Sequence, residues 1–193
     1  MGSHLTWYVA RGSGIVTWGL LVASIGWGLL YATRVMRRRV SLWWVLGVHR
    51  FLCVLAMVFT SVHVIALVLD HFIDFSLTDV FVPFASSWHP IATGWGIIAM
   101  YLLLAIEATS LLKSRLPHRW WRGVHLASYP LFALATVHAL SAGTDTRAII
   151  GDGLAISIGA IAIAVALVAL DRRAAADLRQ RAPDRLGATE TAR

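Results

Sequence analysis

Four histidines lie at regular intervals in two apolar segments of the chain. His49 and His63 are fourteen residues apart in one segment, and His125 and His138 are thirteen apart in the other. An ionisable side chain is costly in hydrocarbon and usually pairs with a partner or serves a function there. Neutral imidazole is a good ligand for iron, and two imidazoles can occupy both axial positions of a haem. These residues therefore predict a buried cofactor, and two stacked haems are the simplest one.

The same residues predict the type of haem, and they also allow a function without haem. The sequence contains no Cys-X-X-Cys-His motif, so attachment would be noncovalent, as in b-type haem. A haem iron with histidine at both axial positions transfers electrons and does not bind oxygen readily. The alternative is that the histidines hydrogen-bond neighbouring helices or relay protons, as a single intramembrane histidine often does. Four histidines in two matched pairs favour haem.

The composition is that of a membrane protein. Of 193 residues, 58% are hydrophobic and only 14% are charged, which is too apolar for a soluble domain of this size. The net charge of +7 resembles that of nucleic-acid-binding proteins, but the basic residues are confined to short segments between apolar runs. We therefore expect membrane lipid and no nucleic acid as a partner. The single Cys53 excludes an intramolecular disulfide and is most simply a packing residue.

Five apolar runs approach or exceed the roughly 20 residues that a helix needs to cross a bilayer. Each should be helical, because lipid offers no partner for free backbone groups. The sequence therefore predicts an all-α, polytopic membrane bundle over residues 1–170, followed by a charged cytoplasmic tail over 171–193. The predicted spans are 7–32, 43–69, 91–112, 121–142 and 150–170.

Lysine and arginine cluster after the first, third and fifth predicted spans, whereas the long loop from Asp70 to Pro90 carries three aspartates and neither Lys nor Arg. Basic residues collect on the cytoplasmic side of a membrane. We therefore expect an extracytoplasmic N-terminus, a cytoplasmic C-terminus and a multi-pass protein of the cytoplasmic membrane. The clustered residues are Arg34, Arg37, Arg38, Arg39, Lys113, Arg115, Arg119, Arg122, Arg172, Arg173, Arg179, Arg181, Arg185 and Arg193.

The histidines should form two levels, because the second and fourth spans run in the same direction. His49 would pair with His125 on the inner side and His63 with His138 on the outer side, about 20 Å apart at 1.5 Å per residue. In a straight helix, thirteen residues fall about 140° short of whole turns, so His125 and His138 would face different directions. Pro130 lies between them, and a kink there would turn His138 back towards the second span.

Several other residues are candidates for supporting roles. Haem propionates need cationic partners, which Arg50, Arg119 and Arg122 offer on the inner side and Arg11 and Arg147 on the outer side. Glu107 is the only acid well within a span, where it would pair with a basic residue or serve a proton or quinone role. Phe132 lies between the two levels and is most simply core packing.

The outer loop offers a second kind of site. It contains His71 and His89 with Asp70, Asp74 and Asp79, and oxygen ligands suit iron(III). His71 and His89, like His118 in the inner loop, are most simply solvated, but a ferric chelate site among the outer-loop histidines and aspartates is an alternative.

The sequence resembles the ferric reductase-like transmembrane domain family over residues 7–170. The resemblance rests on VHRFL at His49, HV at His63 and WRGVHLASYPLFALATVHALSAGTD at His125 and His138. It implies an inner haem on His49 and His125 and an outer haem on His63 and His138. Many relatives have six spans and a cytoplasmic flavin and nicotinamide domain, whereas this chain shows five spans and no such domain.

The function that we expect is electron transfer across the membrane, in a cytochrome b-type oxidoreductase component. The donor would be a separate flavoprotein reductase or a quinol, with a quinone or flavin supplied by that partner, and the acceptor would be extracytoplasmic. The alternatives are a ferric chelate reductase with its own outer-loop acceptor site, and a nonredox subunit for membrane assembly or transport.

Overall fold

The computed structural model describes residues 3–33, 41–70 and 75–143, and the regular structure within these ranges is entirely helical. The predicted all-helical fold is confirmed for this part of the chain. The predicted fifth span, the tail, the domain boundary at residue 170, His71, Asp74 and Arg147 lie outside the described residues. The helices are α1 (Ser3–Thr33), α2 (Leu42–Val68), α3 (Leu77–Phe81), α4 (Pro90–Leu111), α5 (His118–Leu126) and α6 (Ser128–Ala142).

Four helical segments in the described ranges are long and apolar enough to cross a membrane. They are Leu5–Ala32, Leu42–Val68, Pro90–Leu111 and His118–Ala142, within about three residues of the first four predicted spans. Large apolar side chains such as Phe51 and Ile65 are exposed on the outer faces of these helices. Exposed apolar surface on this scale is typical of helices that face lipid.

Antiparallel packing of successive helices brings α2 and α6 into the same direction. At one end of the α1–α2 pair the Thr6 hydroxyl donates to Asp70, and at the other the Trp27 indole donates to the carbonyl of Val45. Helix α4 packs on α6, and α6 also contacts α1. We call the two ends of the bundle the α3 end and the α5 end. The buried core lies midway between them and is formed by Leu21, Ala56, Ala99, Leu103, Ile106 and Leu131.

The predicted fourth span is two helices rather than one. Helix α5 ends at Leu126 and α6 begins at Ser128, with Ala127 between them. At the junction the Ala127 N–H donates to the carbonyl of Val124, three residues back instead of four. Pro130 has no N–H to donate to the carbonyl of Leu126, and its ring would clash with that carbonyl in a continuous helix. The helix is therefore interrupted at the turn that precedes Pro130, where proline cannot continue it.

Residues 75–89, which precede α4, cover the α3 end of the bundle. Ser76 caps α3 and forms a reciprocal capping box with Asp79. Hydrogen bonds from the hydroxyl and then the backbone N–H of Ser76 lower the pKa of the exposed Asp79 carboxyl. Phe84 has a left-handed backbone, with φ of 66°, and its ring lies against Gly94 in the first turns of α4. Only glycine leaves room for the ring there.

Candidate functional site

The four histidines face each other in two pairs. The ring centroids of His49 and His125 are 6.1 Å apart, and those of His63 and His138 are 6.3 Å apart. With a metal–nitrogen bond of about 2.0 Å and a ring centre about 1.15 Å behind that nitrogen, imidazoles on opposite sides of one metal ion have centroids roughly 6.3 Å apart. Both pairs therefore have the spacing of two axial ligands. The His63–His138 pair lies towards the α3 end and the His49–His125 pair towards the α5 end.

Three of the four imidazoles are held through Nδ1 by a backbone carbonyl. The Nδ1 atoms of His63, His138 and His49 lie 2.6, 2.8 and 3.1 Å from the carbonyl oxygens of Ala10, Ala92 and Ser24. A carbonyl can only accept, so Nδ1 must carry the proton. Nε2 of each ring then carries the lone pair, which is the arrangement typical of histidines that bind metals.

His125 is held differently. Its Nδ1 atom is buried and has no hydrogen-bond partner among the described residues. Its ring instead stacks on Trp121, one helical turn earlier, with centroids 5.0 Å apart and planes 22° apart. The ammonium group of Lys113 lies 4.0 Å from the centre of the Trp121 ring. Trp121 therefore positions a site histidine.

Apolar side chains separate the two histidine pairs. Trp18 of α1 stacks on Phe132 of α6, with centroids 6.2 Å apart, and the Trp18 indole donates to the Thr136 hydroxyl at 3.0 Å. Phe132 also packs against the buried core. This layer occupies the level between the pairs, where Phe132 was predicted to lie.

An apolar cavity of about 280 Å³ lies beside the His63–His138 pair. Its walls come from α1, α2, α4 and α6 and include Trp18, Leu103 and Leu131, and α3 lines its end. Two imidazoles that offer Nε2 across an apolar cavity are the donor set and surroundings that a bis-histidine haem requires. The residues present at this pair therefore fit a haem.

Polar groups surround the ring of His49. The Ser24 hydroxyl lies 3.1 Å from Cys53 Sγ, and Cys53 Sγ lies 3.8 Å from His49 Nε2. The side chain of Glu107 lies near the Cys53 thiol. Cys53, which was predicted to be a packing residue, therefore also has polar neighbours.

The other predicted candidates, except Arg11, lie apart from the two pairs. Arg50, Arg119 and Arg122 are exposed towards the α5 end, whereas Arg11 lines the cavity and its guanidinium lies 5.0 Å from the centre of the Trp7 ring. His89 and His118 are exposed at the starts of α4 and α5.

Two acids of the predicted outer-loop site, Asp70 and Asp79, have hydrogen-bond partners in the described structure. Asp70 is only 2% exposed and accepts from Thr6, and Asp79 caps α3. In the part of the chain that the structure describes, no group of three or more His, Cys, Asp or Glu side chains is placed to hold a metal ion.

Three glycines that the sequence analysis did not single out lie directly against the histidines. Gly14 faces His63, Gly28 faces His49 and Gly96 faces His138. A signal for two of them is present in the sequence, because Gly14 and Gly28 are fourteen residues apart, as are His49 and His63 on the neighbouring antiparallel helix.

Comparison with known proteins identifies a family but no characterised relative. No curated protein matches the chain, and no solved structure matches it. One family model matches residues 5–145, a range that includes all four histidines of the two pairs. The chain therefore belongs to the family described as a domain of unknown function, DUF8596.

Proposed function

We propose that the protein carries electrons across a membrane through two b-type haems, one held by His49 and His125 and the other by His63 and His138. The observation that carries this proposal is the matched spacing of the two imidazole pairs, 6.1 and 6.3 Å between ring centroids. Paired histidines that only bonded helices together would have no reason to adopt the spacing of axial ligands twice.

The residues around each pair support the same role. A bound haem supplies an iron that accepts and donates one electron. Carbonyl acceptors keep the proton of His63, His138 and His49 on Nδ1, so that Nε2 points a lone pair away from the helix that holds it. The core layer around Trp18 and Phe132 excludes water between the pairs. At about 1.5 Å per residue the pairs are some 20 Å apart along the helices, most of the apolar thickness of a bilayer.

The direction of transfer follows from the charge distribution. Lys113, Arg115, Arg119 and Arg122 lie at the α5 end, and we assign that end to the cytoplasm. The His49–His125 site then receives electrons from a separate flavoprotein reductase or a quinol, and the His63–His138 site delivers them to an extracytoplasmic acceptor. The resemblance to the ferric reductase-like transmembrane domain family and a location in the cytoplasmic membrane belong to this proposal.

Haem content tests the proposal directly. We expect the full chain, purified in detergent from haem-replete cells, to give two b-type haems per polypeptide in a pyridine haemochrome assay. His49→Ala and His125→Ala should each remove one haem, and the double variant should remove no more than that one. His63→Ala and His138→Ala should behave in the same way at the other site. His89→Ala, at an exposed position whose ring contacts Trp88 and neither histidine pair, is the matched control and should keep both haems.

The outcomes separate the competing functions. A folded, colourless wild-type protein would contradict the proposal and favour a nonredox membrane subunit. If both haems are present, the protein in the membrane of liposomes that enclose ferricyanide should transfer electrons from external dithionite to the ferricyanide. Loss of either haem should abolish this transfer. Ferric chelate reduction that His89→Ala removes, with both haems retained, would favour a reductase with its own outer-loop site.

A further inference from the structure

The glycines that face the histidines form a repeated arrangement. Each of three imidazoles donates to the carbonyl of a residue i on a neighbouring helix, and residue i+4 of that helix is glycine. The three arrangements are Ala10 and Gly14 at His63, Ser24 and Gly28 at His49, and Ala92 and Gly96 at His138. Two lie on α1 and one on α4, so the arrangement does not follow from the sequence of a single helix. We call each one a cradle.

Helix geometry explains why the cradle needs both parts. The carbonyl of residue i already accepts from the N–H of residue i+4 and has a second lone pair for the imidazole. An imidazole that reaches this lone pair lies over the Cα of residue i+4. A Cβ built on Gly96 would lie 2.7 Å from His138 Nδ1, one on Gly14 would lie 3.0 Å from His63 Nδ1, and one on Gly28 would lie 3.3 Å from His49 Cε1. Glycine is therefore the residue that admits the ring.

We propose that these three cradles are the positioning elements of the cofactor sites, and that each fixes the tautomer and orientation in which its histidine binds iron. This inference rests on the proposed function for the identity of the ligand. A hydrogen bond to the second ring nitrogen orients a metal-binding histidine and raises its basicity, and its loss typically lowers metal affinity 10–100-fold.

The cradles also make the two sites unequal. Both histidines of the His63–His138 site have a cradle, but only His49 has one at the other site, since the described residues provide no acceptor for Nδ1 of His125. His125 is thus the ligand whose orientation is held by ring stacking on Trp121 alone among the described contacts. We therefore infer that the His49–His125 site releases its haem first.

Glycine-to-alanine variants test the cradles against closely matched controls. Gly14→Ala and Gly96→Ala should weaken haem binding at the His63–His138 site about 10–100-fold, with the larger effect at Gly96, where the contact is shorter. Gly28→Ala should have a smaller effect at the other site, and Gly28→Val a larger one. Gly12 and Gly26 lie on α1 two residues before Gly14 and Gly28, and a Cβ built on either would meet no other atom within 4 Å. Gly12→Ala and Gly26→Ala should therefore leave both haems in place.

Two further measurements respond to orientation rather than to folding alone. The electron paramagnetic resonance signal of the low-spin ferric haem should change at the affected site only. Transfer of haem from the wild-type protein to an excess of apoglobin should first remove the haem that His49→Ala lacks. Loss of the other haem first, or equal effects of cradle and control variants, would overturn the inference.

Histidine ¹⁵N spectra of the haem-free protein distinguish failure of the cradles from failure of the proposed function. We expect three slowly exchanging Nδ1–H signals, of which each cradle variant loses one. If these signals are present but the protein binds no haem, the proposed function is wrong, and the hydrogen bonds of the cradles are structural contacts only. If haem binds but the three Nδ1–H signals are absent, the cradles are wrong and the proposed function stands.

Discussion

At the scale of single residues, the proposed binding of iron depends on which ring nitrogen of each histidine carries the proton. Backbone carbonyls decide this for His49, His63 and His138. For His125 the described contact is the face of Trp121, which limits the tilt of the ring but does not choose a tautomer. The four residues are the same in type but differ in how firmly they are held.

Replacement of Trp121 tests this difference. Trp121→Ala removes the ring on which His125 stacks, and an aromatic pair of this kind contributes about 0.5–1.5 kcal/mol. We therefore expect up to about tenfold weaker haem binding at the His49–His125 site, with the other site unchanged. Haem content measured during detergent dilution, together with the site-specific ferric spectrum, gives the answer.

The neighbouring Trp120 provides the control. It is 64% exposed, and Trp120→Ala should leave both sites as they are. Equal losses in the two variants would mean that the tryptophans act through membrane anchoring and not through His125.

At the scale of elements, the break between α5 and α6 gives the two histidines of the fourth span a common facing direction. Thirteen residues of straight helix would leave His125 and His138 about 140° apart around the axis. The two-helix geometry around Ala127 places His138 opposite His63 while His125 lies opposite His49. The interruption is therefore part of the site, although it lies between the histidines.

Pro130→Ala tests whether the proline maintains this break. Alanine restores the N–H that can bond the Leu126 carbonyl and removes the steric conflict, so a continuous helix costs about 3 kcal/mol less with alanine than with proline at this position. We expect His138 to rotate away from His63 and the haem of that pair to be lost, as measured by haem stoichiometry.

A comparison with Pro90 controls for the general effect of proline removal. Pro90 is at the first position of α4, where proline fits a helix without distortion. Pro90→Ala should keep both haems. Two haems with unchanged spectra in Pro130→Ala would show that packing against α4 maintains the break without the proline.

At the scale of the whole molecule, the distribution of charge and apolar surface sets how the bundle sits in a bilayer. Basic residues lie at the α5 end, whereas the segment between α2 and α4 contains no Lys or Arg. The exposed faces of the long helices are apolar. Together these features predict that the α5 end faces the cytoplasm.

Cysteine labelling in intact cells tests this orientation. In a Cys53→Ser background, Ser87→Cys at the α3 end should react with a membrane-impermeant maleimide, and Ser114→Cys at the α5 end should not. Both serines are exposed in the described structure. Permeabilised cells should label both variants, which controls for accessibility. The reverse pattern would invert the assigned direction of electron flow.

Local properties of the sequence were enough to predict the helices and the candidate ligands. Apolar runs of membrane length must be helical wherever they cross a bilayer, and histidines at intervals of thirteen and fourteen residues stand out in such runs. The proline that interrupts the fourth span was also recognisable, because its effect on a helix depends only on its own ring and the preceding turn. The polar neighbours of Cys53 and Glu107 could not be recognised from the sequence, because they depend on which side chains meet across helices.

What only the tertiary structure decided is how each imidazole is seated. The carbonyls of Ala10, Ser24 and Ala92 are chemically the same as every other carbonyl in the chain, and only the register of α1 against α2 and of α4 against α6 places them beside histidines. The same register places three glycines against the histidines, where the absence of a Cβ leaves space for the rings. Residue type and spacing are properties of one helix, whereas a hydrogen bond between helices depends on their relative position. Sequence alone therefore determined which residues are candidate ligands, and packing determined their hydrogen-bond partners and how firmly each side chain is held.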